Sequence, residues 1–232
     1  MIIKDDDLGE IRLVKNAQAR RIIVRRKDDY LQLTYPSGVT ISYIERTIAE
    51  MKPRLLKLLE KKPKIQIFTP NTEFRTFSFV LNIVESKSTN NYYVKLKDGV
   101  LSISCPLETE FGTDHVQSII RGFLEKALRY EAKRLFPAKV KSFAQTFGFT
   151  FSEVKINKSR TRWGSCSSKK SINLSYYCML LPEHLADFVI LHELCHTVEM
   201  NHGEHFWQLL DKVSGNRAKE LTKELKAYKT YL

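Results

Sequence analysis

Residues 192–196 read His-Glu-Leu-Cys-His, the pattern H-E-x-x-H, and a further histidine, His202, follows six positions later, just before Gly203. Two histidines four residues apart on a helix lie one turn above each other, with Cβ atoms roughly 5–6 Å apart, so both imidazoles can reach one metal ion. Glu193 projects from a neighbouring strip of the same face, where its carboxylate can take a proton from a metal-bound water. The stretch therefore predicts a hydrolytic metal site.

The residues before this motif predict that it lies on a helix. Pro182 opens the segment, Glu183 and Asp187 place acidic side chains near its start, and apolar residues recur at helical spacing as far as Leu191. An amphipathic helix that carries two histidines by accident would show the same periodicity. The metal prediction therefore depends on a third ligand.

A catalytic zinc site usually has three protein ligands and keeps one position open for water. Asn201 and Gly203 let the backbone leave the helix and turn, which would bring His202 back towards the other two imidazoles. The alternative third ligand is Glu199, three residues after His196 on the helix itself, which could instead orient the ligands from outside. His202 is favoured because an imidazole that follows a turn reaches back more easily.

The segment after Gly203 predicts a second helix, whose apolar side chains would hold the loop with His202 against the core. These side chains are Phe206, Trp207 and Leu210. Three other histidines are interpreted as residues that do not bind the metal: His115, His184 and His205.

Four motifs follow one another in the carboxy-terminal half: Arg-Trp-Gly-Ser-Cys at 162–166, Ile-Asn-Leu at 172–174, the histidine motif at 192–196, and Asn-His-Gly-Glu-His-Phe-Trp at 201–207. Together they resemble the YgjP-like family of predicted metal-dependent hydrolases. The similarity extends upstream to residues 19–25 and the β-rich segment behind them.

This resemblance implies a zincin-type catalytic domain, similar to that of the SprT-like and WLM metalloproteases. It also implies a ligand set for one Zn²⁺ ion and a general base. The ligands would be His192, His196 and His202, and the base would be Glu193.

The pattern along the chain predicts an α+β protein with two domains. A β-rich amino-terminal domain with one helix would cover residues 1–110, and a zincin-like metallopeptidase domain, with its H-E-x-x-H helix beside a small sheet, would cover 111–232. In the first domain we predict a hairpin of residues 21–26 and 30–35, a helix over 40–62 that Pro53 bends or splits, and strands over 65–69, 74–84, 92–97 and 100–104. In the second we predict a helix over 113–147 broken near Pro137, and a small sheet from 151–157, 162–166 and 171–175.

The run at 162–166 has no metal-ligand pattern of its own. Its structural interpretation is a strand in which Gly164 allows a close approach of another backbone or an aromatic ring. Its functional interpretation is an edge strand beside the metal that binds an extended peptide through backbone hydrogen bonds. Arg160 and Arg162 add a third interpretation, contact with an anion at the cleft.

Composition sets wider bounds. With 232 residues, 43% of them apolar, the chain can bury one large core or two modest ones. No stretch approaches the ~18 apolar residues of a membrane span, and residues 1–7 lack the apolar region of a secretory signal, so we expect a cytoplasmic protein without a membrane partner. The four cysteines form no C-x-x-C pair and are interpreted as free thiols.

The net charge is +12, which favours contact with polyanions, although most basic residues have the spacing of a solvated face. No DNA- or RNA-reading motif accompanies the charge, so proximity to nucleic acid stays an expectation from charge alone. The sequence indicates neither the oligomeric state nor which residues bind substrate.

These observations favour a zinc metallopeptidase in which the metal lowers the pKa of its water towards about 7, Glu193 accepts the proton, and the hydroxide attacks a peptide carbonyl. Two alternatives remain. One is a metal-dependent hydrolase of nucleoside triphosphates, a pyrophosphohydrolase that binds phosphates through Arg160, Arg162 or nearby lysines. The other is a nucleic-acid-associated adaptor with a structural metal, against which Glu193 argues, because a structural site needs no base.

Overall fold

The computed structural model describes residues 1–27, 30–60, 66–87 and 90–229. The chain divides into two compact units, Met1–Ile65 and Gln66–Leu232. This division differs from the predicted boundary near residue 110. The reason is that Phe68, Ile83 and Leu101 share one hydrophobic core with Ile120 and with the residues that follow in the carboxy-terminal half.

The first unit is a four-stranded sheet with one helix. Its strands are β1 (Ile2–Asp5), β2 (Gly9–Lys15), β3 (Ile23–Arg26) and β4 (Leu31–Tyr35), in the order β1-β2-β4-β3, and the helix is α1 (Ile41–Glu60). The predicted hairpin of β3 and β4 is confirmed by their antiparallel pairing, whereas its turn, Asp28-Asp29, lies outside the described residues. Pro53 does not split α1.

The second unit begins with a three-stranded sheet of β5 (Val80–Ser86), β6 (Tyr93–Lys97) and β7 (Val100–Pro106), in the order β5-β7-β6. Residues 66–69 form no strand, so that prediction is wrong for the described part of it. The backbone of Phe68 bonds to a helix side chain instead: Gln117 accepts from the Phe68 amide at 2.9 Å and donates to its carbonyl at 2.8 Å.

The strand predicted over 74–84 begins only at Val80. The Thr76 hydroxyl accepts hydrogen bonds from the amides of Ser78 and Phe79, at 3.1 and 3.0 Å. Such local side-chain bonds offer the backbone an alternative to the sheet ladder. The predicted strand is therefore shortened at its start.

The long helix α2 (Asp114–Phe147) follows and contains Pro137 without a break, so the predicted interruption is wrong. Phe136 and Val140, on either side of the proline, are fully buried in the core. Their burial offsets the hydrogen bond that proline cannot donate. The helix ends at Gly148, whose φ of 75° is the left-handed conformation that suits glycine.

The site-bearing part combines a small sheet with three helices. Its strands are β8 (Glu153–Asn157), β9 (Gly164–Cys166) and β10 (Ser171–Ser175), in the order β8-β10-β9, and a 3₁₀ helix, Tyr176–Leu180, comes next. The helices are α3 (Glu183–Cys195), α4 (Glu204–Val213) and α5 (Ala218–Leu225). The fold is α+β, as predicted, and no described helix is both long and apolar enough to cross a membrane.

Candidate metal centre

Three imidazoles converge at the carboxy-terminal end of α3. The Nε2 atom of His192 lies 3.2 Å from Nε2 of His196 and 3.1 Å from Nε2 of His202. One nitrogen from each ring lies within 4.8 Å of the other two, so a single cation can contact all three. Among the described residues this is the one group of three or more histidine, cysteine or carboxylate side chains close enough to hold a metal ion.

The end of α3 explains why the third histidine can join the first two. The helix stops at Cys195, and His196 is its capping residue, with turn residues after it. The Gly203 amide donates to the Asn201 carbonyl at 2.8 Å, which closes a tight turn around His202. The loop therefore folds back over the end of the helix that carries His192.

Phe206 on α4 packs against all three imidazole rings. It is fully buried, stacks on His196 with ring centroids 4.5 Å apart, and meets His192 and His202 edge-on at 5.0 and 4.7 Å. Trp207 lies 6.2 Å from the His202 ring. The contacts predicted for Phe206 and Trp207 are thus present, and they restrict the orientation of the imidazole rings through packing.

A backbone carbonyl orients His196 as well. Its Nδ1 lies 2.9 Å from the Glu199 carbonyl oxygen, so Nδ1 carries the proton and Nε2 keeps its lone pair towards the cluster. Glu199 does not lie on the helix, which corrects the position expected from sequence, because α3 has ended four residues earlier. Its contribution to the site is this main-chain oxygen, and its carboxylate is outside the histidine cluster.

The donor set fits a zinc ion. Burial, reinforced by the charges of the two neighbouring imidazoles, lowers the pKa of His192 to about 3, and burial also lowers the pKa of His196. Neutral imidazole is the form that ligates a metal. Three such nitrogens on one side leave a position free for solvent or substrate, which is the arrangement of catalytic zinc rather than of a closed structural site.

Glu193 is buried beside the cluster, with only 5% of its surface exposed. Its Oε2 atom is buried and has no hydrogen-bond partner among the described residues. Burial raises the pKa of its carboxyl to about 8, although the positive charge of Arg162 acts in the opposite direction. An unpartnered buried oxygen of this kind costs free energy of folding, so its retention points to a functional role.

Gly164 of β9 provides the space for this carboxylate. A Cβ atom on Gly164 would lie 2.6 Å from Oε1 of Glu193 and 2.7 Å from its Cγ, well inside van der Waals contact. The predicted close approach at this glycine therefore exists, but the approaching group is a carboxylate and not a backbone or an aromatic ring. The motif at 162–166 and the histidine motif meet here.

We expect Gly164→Ala to lower kcat by roughly tenfold to a hundredfold while the protein stays folded, because the new methyl group displaces Glu193 by about an ångström. Circular dichroism and a peptidase assay would check this. Gly122→Ala is the matched control: nothing lies within 4 Å of that added Cβ inside α2, so activity should be unchanged. Equal activities of the two variants would contradict the assigned role of Gly164.

β9 presents an unpaired edge beside the same carboxylate. The Ser175 amide donates to the Trp163 carbonyl at 2.8 Å, and the Ser167 amide donates to the Ser171 carbonyl at 3.0 Å. The backbone groups of every second residue along β9 therefore point towards β10. By the alternation of an antiparallel pair, the amide and carbonyl groups of Gly164 and Cys166 point the other way. No described strand pairs with them, since β9 is at the edge of its sheet.

Sequence reasoning missed a charged cluster that anchors the loop before β9. Glu125 of α2 accepts hydrogen bonds from the Tyr177 hydroxyl at 2.7 Å and from Arg160 at 2.8 Å, and it pairs with Lys158. Burial alone would raise the pKa of Glu125, but hydrogen bonds from Lys158, Tyr177 and Arg160 lower it to about 2. Arg160 also donates to the Tyr177 hydroxyl at 2.9 Å, so its contacts hold the loop before β9 against α2 and the 3₁₀ helix. Arg162, in contrast, is exposed.

We expect Glu125→Gln to lower the free energy of unfolding at neutral pH by about 2 kcal/mol. The pKa of Glu125 in the folded protein, about 2, is below its ordinary value of 4.5, so its stabilisation is complete above pH 4.5 and declines as the pH falls towards 2. Urea titrations of the metal-free protein across this range would check it. The difference between native and variant should shrink on acidification, and a constant difference would contradict the assignment.

The remaining histidines and cysteines are outside the cluster. His184 pairs with Glu224 at 2.9 Å, and His115 and His205 are exposed. All four cysteines are free thiols, and Cys195, which lies between the two helical histidines, is fully buried in the core.

A three-histidine cluster at the end of a helix beside a small sheet, with a buried glutamate next to the first histidine, is the arrangement of a metal-dependent hydrolase. The chain matches the family model described as YgjP-like, metallopeptidase domain, over residues 20–228, and it belongs to this family. The predicted family resemblance is thereby confirmed, and the family implies a metal ion and peptide or protein substrates.

Two crystal structures of metallopeptidase zymogens are also similar to part of the chain. Abylysin of Pyrococcus abyssi is 24% identical with a TM-score of 0.36, and the match covers 39% of this chain and 91% of that one. Jannalysin of Methanocaldococcus jannaschii is 25% identical with a TM-score of 0.35, and the match covers 39% of this chain and 93% of that one. No protein of curated function matches the sequence.

Proposed function

We propose that this protein is a zinc-dependent peptidase in which His192, His196 and His202 hold one Zn²⁺ ion and Glu193 is the general base. The observation that carries the proposal is the position of Glu193: a buried carboxylate with an unpartnered oxygen, which lines the same cavity as the first histidine of the cluster. A carboxylate held beside a metal site without ligating the metal is the arrangement that metal-assisted hydrolysis requires.

The residues of this chain divide the work as follows. The three histidines retain the ion, which when bound polarises the scissile carbonyl and makes water acidic enough to be deprotonated near neutral pH. Glu193 accepts the proton from the attacking water and can pass it to the leaving amine. Gly164 leaves room for the carboxylate, and the Glu199 carbonyl keeps the His196 lone pair directed at the ion.

The open edge of β9 supports a peptide as the substrate. An extended peptide can add to a free strand edge through its backbone, and the outward groups of Gly164 and Cys166 have the two-residue spacing that such pairing uses. Because Gly164 also contacts Glu193, a peptide bound in this way would pass beside the general base.

The two alternatives have less support. Of the two arginines that would bind the phosphates of a nucleoside triphosphate, Arg160 pairs with Glu125, whereas Arg162 is exposed. An adaptor with a structural metal would not need Glu193 buried next to the site. Contact with nucleic acid stays a prediction from the net charge of +12.

A panel assay of the zinc-loaded protein tests the proposal. We expect hydrolysis of casein-like proteins and short peptides, none of nucleoside triphosphates, and loss of activity on treatment with a chelator that zinc restores. Release of phosphate or pyrophosphate from nucleotides without peptide cleavage would favour the first alternative. Absence of any hydrolysis together with salt-sensitive DNA binding would favour the adaptor.

A further inference from the structure

A cavity of about 240 Å³ adjoins the histidine cluster. Its apolar walls are formed by Trp163, Phe188, Val189 and Leu225, and His192 and Glu193 also line it. Phe188 and Val189 are almost completely buried, whereas Trp163 and Leu225 are half-buried. The cavity therefore joins a ligand of the proposed metal site and the proposed base to an apolar compartment.

We propose that this cavity receives an apolar side chain from a substrate residue that flanks the scissile bond, and that it makes the enzyme selective for leucine- to phenylalanine-sized side chains. The inference rests on the peptidase function proposed above. It goes further by naming the substrate class and the residues that select it.

The size of the cavity fits one side chain. An apolar cavity of roughly 150 Å³ can hold a benzene ring, and whole ligands of drug size need about 300–1,000 Å³. At 240 Å³, the cavity accommodates a phenylalanine or leucine side chain but is smaller than the sites that hold whole ligands of drug size. A glycine or alanine at this position would leave most of the apolar wall of the cavity without contacts, so such peptides gain little binding free energy from the cavity.

The position of the cavity ties it to the cleavage site. Phe188 precedes His192 by one turn of α3, with ring centroids 6.4 Å apart, and Trp163 directly precedes Gly164, where the backbone lies against the Glu193 side chain. A backbone paired with the open edge of β9 would therefore direct alternate side chains towards or away from this cavity. The residue that enters it is fixed relative to the base.

Charge reinforces the apolar selectivity. Arg162 lines the cavity and is exposed, so a cation stands beside the apolar walls. It would repel a lysine or arginine side chain, and burial of such a charge among Trp163, Phe188 and Val189 costs free energy unless it is paired. A lysine that paired with Glu193 would occupy the group that has to accept the proton. Peptides with a lysine or arginine at this position are therefore expected to be poor substrates.

A peptide library tests selectivity in the native, zinc-loaded protein. The library varies both residues that flank the scissile bond, and kcat/KM is measured for each. At one of these positions we expect phenylalanine and leucine to exceed alanine, glycine and lysine by at least about tenfold, the range in which apolar pockets discriminate. Cleavage that is indifferent to both side chains would overturn the proposal while leaving the peptidase function intact, whereas no peptide cleavage at all would overturn the function itself.

Variants at Leu225 test the assignment of the walls. Leu225→Trp should narrow the cavity and lower kcat/KM for phenylalanine peptides at least about tenfold, with a smaller effect on alanine peptides. Leu225→Ala should widen the cavity and raise kcat/KM for peptides whose side chain is bulkier than phenylalanine. Leu135→Trp, at a half-buried leucine of α2 that does not line the cavity, is the control. An unchanged preference in both Leu225 variants would overturn the assignment.

A binding measurement without catalysis completes the test. In the metal-free native protein, N-acetyl-phenylalaninamide should shift the methyl NMR signals of Val189 and Leu225 in a saturable way, and N-acetyl-lysinamide should not. Equal shifts with both compounds, or shifts confined to other methyl groups, would overturn the proposal. Because this measurement requires neither zinc nor turnover, its outcome is separate from that of the peptidase assay.

Discussion

Glu193→Gln is expected to lower kcat for peptide hydrolysis by about a thousandfold, the middle of the range for removal of a general base. Glutamine has nearly the size of glutamate and fits the same space against Gly164, but its amide cannot accept the proton. Zinc content and the melting curve should stay close to those of the native protein, because the three histidines and the packing are unchanged.

The matched control is Glu183→Gln, at the other end of α3, where the side chain is exposed and pairs with Lys139. Activity should be preserved in that variant. If Glu193→Gln kept its activity, or if it lost its zinc, the assignment of Glu193 as a base outside the metal shell would be wrong.

His202→Ala is expected to lower zinc affinity by at least about a hundredfold, beyond the 10- to 100-fold loss that follows removal of a supporting contact. The fold should persist, since His202 is exposed and lies in the loop between α3 and α4. Isothermal titration of zinc into the native and variant proteins measures the loss, and peptidase activity should fall with it.

His205→Ala, three residues further on and exposed on α4, should bind zinc like the native protein. Glu199→Ala distinguishes the two candidate third ligands, because it removes the carboxylate and keeps the carbonyl that orients His196. Strong zinc binding by His202→Ala combined with loss of zinc by Glu199→Ala would transfer the third position to the glutamate.

The parts of the site that sequence reasoning reached are local in the chain. His192 and His196 are one helical turn apart. The turn that brings His202 back towards them is predictable because Asn201 and Gly203 are residues that favour turns. The β9–β10 hairpin and the helical course of α2 are predictable for the same reason, since their patterns repeat over a few residues.

Contacts between distant residues are not predictable in this way. Glu125 and Tyr177 are 52 positions apart, and no periodicity links them. Gln117 takes the backbone hydrogen bonds of Phe68 from 49 positions away, which is why the strand predicted there is wrong. The division at residue 65 also depends on tertiary contacts, because the strands after it pack with α2.

In the proposed peptidase, Gly164 would have a double role, because its main chain would face the bound peptide while its missing side chain leaves room for Glu193. The register of the substrate and the position of the base would then be set by the same residue. A bound chain that slipped by two residues would carry its next bond about 7 Å along the strand into the same place.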